Sequence, residues 1–257
     1  MDKASYLQVK WPDQCSGKLD NVFAATTLTH GGVSKGDYRE FNLATHVGDD
    51  PAAVSTNRVK LVEDLALPSE PVWLDQVHSN KVHVAQRGNA SADAETHPVQ
   101  ADASVTRVRD VVCAVLTADC LPVFFSNLEG TEVAVAHAGW RGLHDGIISN
   151  TLAAMDSSVA DVVVSLGPAI GPQAFEVGTD VYDAFLSKNQ QNSSAFIATD
   201  KIHYLCDIYQ LARIELSAAG VSGFSGGGFC TFNDSKRFYS YRRHKNTGRM
   251  ASLIWFR

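Results

Sequence analysis

Sulfur is scarce in this chain, and no apolar run is long. The 257 residues contain three methionines and five cysteines. The cysteines (Cys15, Cys113, Cys120, Cys206 and Cys230) are odd in number and scattered. That excludes the disulfide framework of a small secreted domain. No C-x-x-C pair and no H-E-x-x-H run occurs, so no compact segment encodes a metal site. No stretch approaches the ~20 apolar residues of a membrane span. The opening M-D-K-A-S-Y-L-Q-V-K-W-P has no apolar signal-peptide core, and a soluble cytoplasmic protein is expected. Positive charge is also short. Lys and Arg number 22 against 28 Asp and Glu, a net charge of -6. This excludes general nucleic-acid binding, so an anionic substrate must be met by a local basic cluster.

Hydrophobic residues make up 45% of the chain, enough for a sizeable core. There is no internal repeat. The polar stretches R-G-N-A-S-A-D-A-E-T-H-P and S-K-N-Q-Q-N-S-S read as loops too short to separate two cores. One domain spanning 1–257 is expected.

Short β-type runs dominate. N-V-F-A-A-T-T-L-T leads into a Gly-rich turn, and P-V-W-L-D-Q-V-H and K-V-H-V-A read as adjacent strands about a tight S-N turn. V-V-C-A-V-L-T, P-V-F-F, T-E-V-A-V-A-H and D-V-V-V-S-L-G are almost continuously apolar and read as buried strands. A helix follows the Asp50–Pro51 cap pair, with Val54, Val59, Leu61, Val62 and Leu65 at roughly helical spacing. A second opens near Gly142 and carries Leu143, Ile147, Ile148, Thr151 and Leu152 on one side. A third lies in V-G-T-D-V-Y-D-A-F-L, and a fourth runs from near Asp207 to Gly220. Two further strands are expected to flank the turn H-K-N-T-G. Strands interleaved with helices give an α/β or α+β chain with a mixed sheet.

Three residues at the edges of apolar runs suit metal chemistry. His78 ends V-W-L-D-Q-V-H, Cys120 sits in T-A-D-C-L-P, and His137 ends E-V-A-V-A-H. Two His and one Cys form a donor set for Zn²⁺, and three protein ligands fit a catalytic rather than a structural site. Each also has a plainer reading, as a small core hydrophobe or a satisfied histidine. Pro122 places Cys120 where its strand breaks. Asp119 is placed to orient a His, carry a substrate proton or cap the turn. In A-H-A-G-W-R-G, Gly139 and Gly142 allow close backbone approach, and Arg141 offers bidentate anion contacts at a helix start. Gly167 and Gly171 flank a loop with Ile170 and Phe175 as apolar walls for a flat ring. Arg242, Arg243, His244, Lys245 and Arg249 form the densest basic patch, and Arg58 and Asn42 are polar groups embedded among apolar ones.

Taken in order, H-G-G-V-S, F-N-L-A-T-H-V-G-D-D-P-A-A-V-S-T-N-R, L-D-Q-V-H-S, A-D-A-S-V-T, L-T-A-D-C-L-P-V, V-A-V-A-H-A-G-W-R-G, S-L-G-P-A-I-G-P and Y-S-Y-R-R-H-K-N-T-G-R resemble one family. It is the bacterial laccase-domain family, also described as polyphenol oxidase, peptidoglycan editing factor and purine nucleoside phosphorylase. The match runs from about Phe23 to the C-terminus. The resemblance implies an α+β fold with mixed sheets and a helical layer. It implies a zinc site of His78, Cys120 and His137, phosphorolysis of purine nucleosides and deamination of adenosine. Nucleoside and phosphate are then the partners. Zinc would activate water for attack at C6, and Asp119 is the nearest carboxylate for proton transfer. Arg141, Arg58 and Arg249 are the candidates to hold phosphate, with Asn42 a further binding candidate.

Three other functions compete. A copper polyphenol oxidase needs many His ligands, yet none of the nine histidines forms an H-x-H pair; copper stays an alternative ion for a His/Cys site. A metal-free Cys–His hydrolase acting on a peptidoglycan precursor would use Cys120 as nucleophile and His137 as base. A non-enzymatic, zinc-stabilised binding module would need a fourth protein ligand such as His83.

Overall fold

The computed structural model describes residues 5–15, 17–88, 98–221 and 223–257. The stretch R-G-N-A-S-A-D-A-E-T-H-P lies largely outside them. The chain order is β1 (Tyr6–Gln8), β2 (Val22–Thr27), α1 (Pro51–Leu65), β3 (Leu74–Asp75), β4 (Val82–Val84), β5 (Val99–Gln100), β6 (Ala103–Thr106), β7 (Cys113–Thr117), β8 (Leu121–Asn127) and β9 (Val133–Ala138). There follow α2 (Trp140–His144), α3 (Ile147–Ala154), β10 (Val162–Leu166), β11 (Glu176–Gly178), α4 (Thr179–Lys188), β12 (Phe196–Ala198), β13 (His203–Cys206), α5 (Ile208–Ala218), β14 (Gly223–Gly226) and β15 (Met250–Phe256).

Two sheets pack face to face. One has the order β1-β2-β15-β7; the other, β14-β10-β8-β9-β6-β4, mixes parallel and antiparallel pairs. Val22, Ala24, Val115 and Ile254 from the first meet Phe124, Val135 and Val163 from the second. The second sheet's other face, with Leu121, Val123 and Phe125, is covered by Ile147, Ile148 and Leu152 of α3 and by Leu211 and Leu216 of α5. The first sheet's outer face is covered by Leu61 and Leu65 of α1 together with Phe41 and Leu43. Both faces of each large sheet are therefore buried, which explains why their strands read as continuous apolar runs. The result is the expected α+β fold with mixed sheets and helical layers. No helix among the described residues is long and apolar enough to cross a membrane.

Several local expectations change. β3 and β4 form no hairpin; β3 pairs in parallel with β5, and β4 in parallel with β6, in separate sheets. The helix expected from Gly142 is two helices, α2 and α3, separated at Gly146, which takes φ +91. Only one C-terminal strand forms, because the chain before H-K-N-T-G runs in turns. The stretch S-K-N-Q-Q-N-S-S is mostly a 3-10 helix, Gln190–Ala195. Pro122 lies inside β8, opposite His137 of β9. Its missing N–H is tolerated at the strand's start, where its carbonyl accepts from Gly167 N at 2.9 Å.

Candidate metal centre

Three chain segments meet at one end of the sandwich. His137 is the fifth residue of β9, Cys120 precedes β8, and His78 lies in the loop between β3 and β4. The antiparallel pairing of β8 with β9 places Cys120 and His137 side by side. One donor atom from each of His78, Cys120 and His137 lies within 4.8 Å of the others. Cys120 Sγ is 3.8 Å from His78 Nε2, and the two imidazoles stand edge to face with ring centres 4.7 Å apart. Ligands around a tetrahedral zinc, with Zn–N ~2.0–2.1 Å and Zn–S ~2.3 Å, stand about 3.3–3.6 Å apart. The observed spacing fits such an ion after small side-chain shifts. Among the described residues this is the group of His, Cys and carboxylates spaced to hold a metal, and His83, on β4, stands outside it.

Asp102 organises the centre. It is fully buried just before β6. Its carboxylate accepts from the backbone N–H groups of Val77, His78 and Ser79 at 3.3, 3.0 and 2.6 Å, and from Ser79 Oγ at 2.7 Å. It also accepts from His137 Nδ1 at 2.8 Å. That bond assigns the proton to Nδ1 and leaves Nε2 of His137 as the donor to an ion. The three backbone bonds hold His78 at φ +60, a left-handed conformation unusual for a non-glycine residue. Burial opposes ionisation of Asp102, but the bonds from His137 and Ser79 outweigh it and draw the carboxyl down to about 2.

Burial likewise opposes charge on both Cys120 and His137. Their mutual attraction, with the bonds from Asp102 and His78, wins and holds the thiol below and the imidazole above their ordinary ranges.

The glycines of A-H-A-G-W-R-G have steric reasons. A Cβ on Gly139 would lie 2.9 Å from His78 Cδ2 and 3.1 Å from Cys120 Sγ. A Cβ on Gly142 would lie 2.9 Å from Ser79 O. Close approach of α2 to the ligand loops thus requires both positions to be glycine.

The remaining expected residues divide. Asp119, next to Cys120, takes φ +94 rather than an extended conformation. Its carboxylate accepts from Thr231 Oγ1 at 2.6 Å, Ser240 Oγ at 3.0 Å and Arg242 N at 2.7 Å, and its carbonyl accepts from Ile170 N at 2.9 Å. It ties three loops around the thiol. Arg249 lies part-buried with its guanidinium 5.8 Å from the Tyr241 ring, in the field of Cys120 and Asp119. Arg141 is exposed and stacks 4.4 Å over Trp140. The helix it stands on has five residues and opens at Trp140, not Gly142. Arg58 donates through Nε to Leu43 O at 3.1 Å and covers the Trp73 ring at 4.2 Å. Asn42 is fully buried and bonds Ala44, Asp49 and the Arg249 N–H. Arg243, of the densest basic patch, donates to the carbonyls of Thr231, Phe232 and Phe238 and is a backbone tie. Sequence reading passed over Asp102 and also Gln76, whose amide clasps Leu116 N and O. The one available signal for Asp102 was an acid embedded in the small-residue run A-D-A-S, where a buried charge needs partners.

Residues 23–257 match the family model described as multi-copper polyphenol oxidoreductase laccase. A relative from Escherichia coli K12 named purine nucleoside phosphorylase YfiH is 47% identical, covering 96% of both chains. One from Haemophilus influenzae, named purine nucleoside phosphorylase, is 44% identical over 92% of this chain and 95% of its own. A crystal structure of a Neisseria meningitidis protein superposes with a TM-score of 0.89 at 46% identity, covering 98% of this chain and 99% of that one. YlmD from Geobacillus stearothermophilus gives 0.88 at 32% identity, covering 94% of each. On the extent of these matches, the chain belongs to the multi-copper polyphenol oxidoreductase laccase family.

Proposed function

We propose that this chain is a zinc-dependent purine nucleoside phosphorylase that also deaminates adenosine. The observation that carries the reading is the clustered His78–Cys120–His137 donor set, joined to relatives at 44–47% identity named purine nucleoside phosphorylase. When bound, zinc supplies Lewis-acid polarisation and water activation. His137 and Cys120 hold the ion, and His78 completes the set. Asp102 fixes the His137 tautomer and the His78 loop. In phosphorolysis a phosphate oxygen attacks C1′, the C1′–N9 bond breaks and the purine leaves with its electron pair. Arg249, whose charge lies in the field of Cys120 and Asp119, is our choice to hold that phosphate, with Arg141 the second candidate. Asp119 positions the loops around Cys120, since its carboxylate is already engaged by three donors. Incubation with adenosine, with and without phosphate, followed by chromatography tests the reading. Free adenine that appears only with phosphate reports phosphorolysis, and inosine reports deamination. Unchanged adenosine in both incubations overturns both activities.

One observation favours a second reading. The close approach of Cys120 and His137, donor atoms within 4.8 Å, also suits a Cys–His hydrolase acting on a peptidoglycan precursor. Metal content separates the two, because a stoichiometric ion on Cys120 removes the nucleophile. The same measurement decides between zinc and copper.

A further inference from the structure

A cleft of about 460 Å³ opens between α1 and the chain around Trp73. Its size falls in the ~300–1,000 Å³ range of small-molecule sites. Two segments in its lining run directly into the metal-ligand loops. Asp75 stands three residues before His78, and Leu116 four before Cys120. The Gln76 side chain locks the two segments together, donating to Leu116 O at 2.9 Å and accepting from Leu116 N at 2.7 Å. The cleft therefore borders the segments that lead into His78 and Cys120. The 42–46 segment supplies Thr45 and His46 to the lining, and Asn42 Oδ1 accepts from Arg249 N at 3.0 Å.

The lining suits a flat ring joined to a diol. Trp73 is held by its Nε1 bond to Glu70 at 3.1 Å. The Arg58 guanidinium lies 4.2 Å over that ring, oriented by its bond to Leu43 O. A planar cation backed by an indole is a stacking platform for an electron-rich base. Val54 and Leu116 add apolar wall. Asp75 is exposed and offers carboxylate acceptors to hydroxyl donors.

We infer that this cleft is the nucleoside subsite. A purine ring lies against Arg58 and Trp73, the ribose hydroxyls turn toward Asp75, and the glycosidic bond faces the metal loops. The assignment rests on the phosphorylase reading above. It is tested by filling the cleft from α1, where Ser55 and Val59 are exposed lining residues one turn apart. Neither touches the ligands, and Trp at an exposed helix position leaves the core intact. Ser55→Trp and Val59→Trp should each raise the inosine KM at least about tenfold, with the phosphate KM held within about twofold. Metal content and Tm should stay unchanged. An unchanged inosine KM in either folded, metal-loaded variant overturns the cleft while leaving the phosphorylase reading intact. So does a rise confined to the phosphate KM. Failure of the wild type to cleave any purine nucleoside overturns the phosphorylase reading, and calorimetric titration of inosine then decides the cleft by itself. Binding lost in Ser55→Trp supports it; equal binding, or none to the wild type, overturns it.

Discussion

Asp102 reaches two of the three metal-site residues at once: it accepts from the His137 ring at 2.8 Å and from the backbone of His78 at 3.0 Å. One carboxylate therefore sets the tautomer of one ligand and the loop conformation of the other. Asp102→Asn keeps the shape but presents an amide that can donate where only acceptance is wanted. Metal affinity should fall about 10–100-fold, the usual cost of losing such a partner. Competition with a chromophoric chelator measures it, and wild-type affinity in the variant would show that the ligands orient themselves.

Cys120→Ala should remove the metal and abolish nucleoside turnover while the protein still folds. The cysteine sits at the rim of the sheet, outside the core clusters. Metal analysis, product chromatography and a thermal melt read the three effects. Full activity in this variant would refute the metal and the nucleophile readings together.

Gly139→Ala isolates the steric demand. The new Cβ would meet His78 Cδ2 at 2.9 Å and Cys120 Sγ at 3.1 Å, so a ligand must move to admit it. Reduced metal affinity is expected, with stability of the metal-free protein changed by less than about 1 kcal/mol. Chelator competition and melts in EDTA separate the two.

Metal removal should lower Tm. An ion that binds only the folded state adds about 4 kcal/mol at a free concentration 1,000 times its Kd. Dialysis against chelator followed by calorimetry should show the loss, and readdition of zinc should reverse it. An unchanged Tm would mean that no ion had been bound.

Arg249 and Arg141 are distinguished by phosphate dependence. Arg249→Gln should raise the phosphate KM at least about tenfold, since a charged hydrogen bond is worth about 1.5–3 kcal/mol. Deamination, which needs no phosphate, should change little. Arg141→Ala should show the smaller effect, because its guanidinium lies over Trp140 in solvent. If Arg141→Ala selectively impairs phosphorolysis and Lys rescues it only in part, the phosphate role belongs to Arg141 instead.

The sequence by itself determined the features set by short-range chemistry. Asp50 caps α1 by accepting from Ala52 N at 2.9 Å, and Asp207 caps α5 by accepting from Gln210 N at 3.0 Å. Those side chains bond the backbone two or three residues away, so the local pattern suffices. The apolar runs of β7, β8, β9 and β10 were legible because each strand is covered on both faces. His78, Cys120 and His137 stood out because each interrupts or ends such a run. Tertiary structure alone decided what depends on distant partners. Val82–Val84 pairs with Ala103–Thr106 rather than turning back on β3, because strand pairing is chosen by the whole sheet and not by a two-residue turn. Asp102 became a hub only when β6 and β9 paired and the loop at His78 folded over it. Nothing in A-D-A-S specifies five donors that lie 23–35 residues away along the chain.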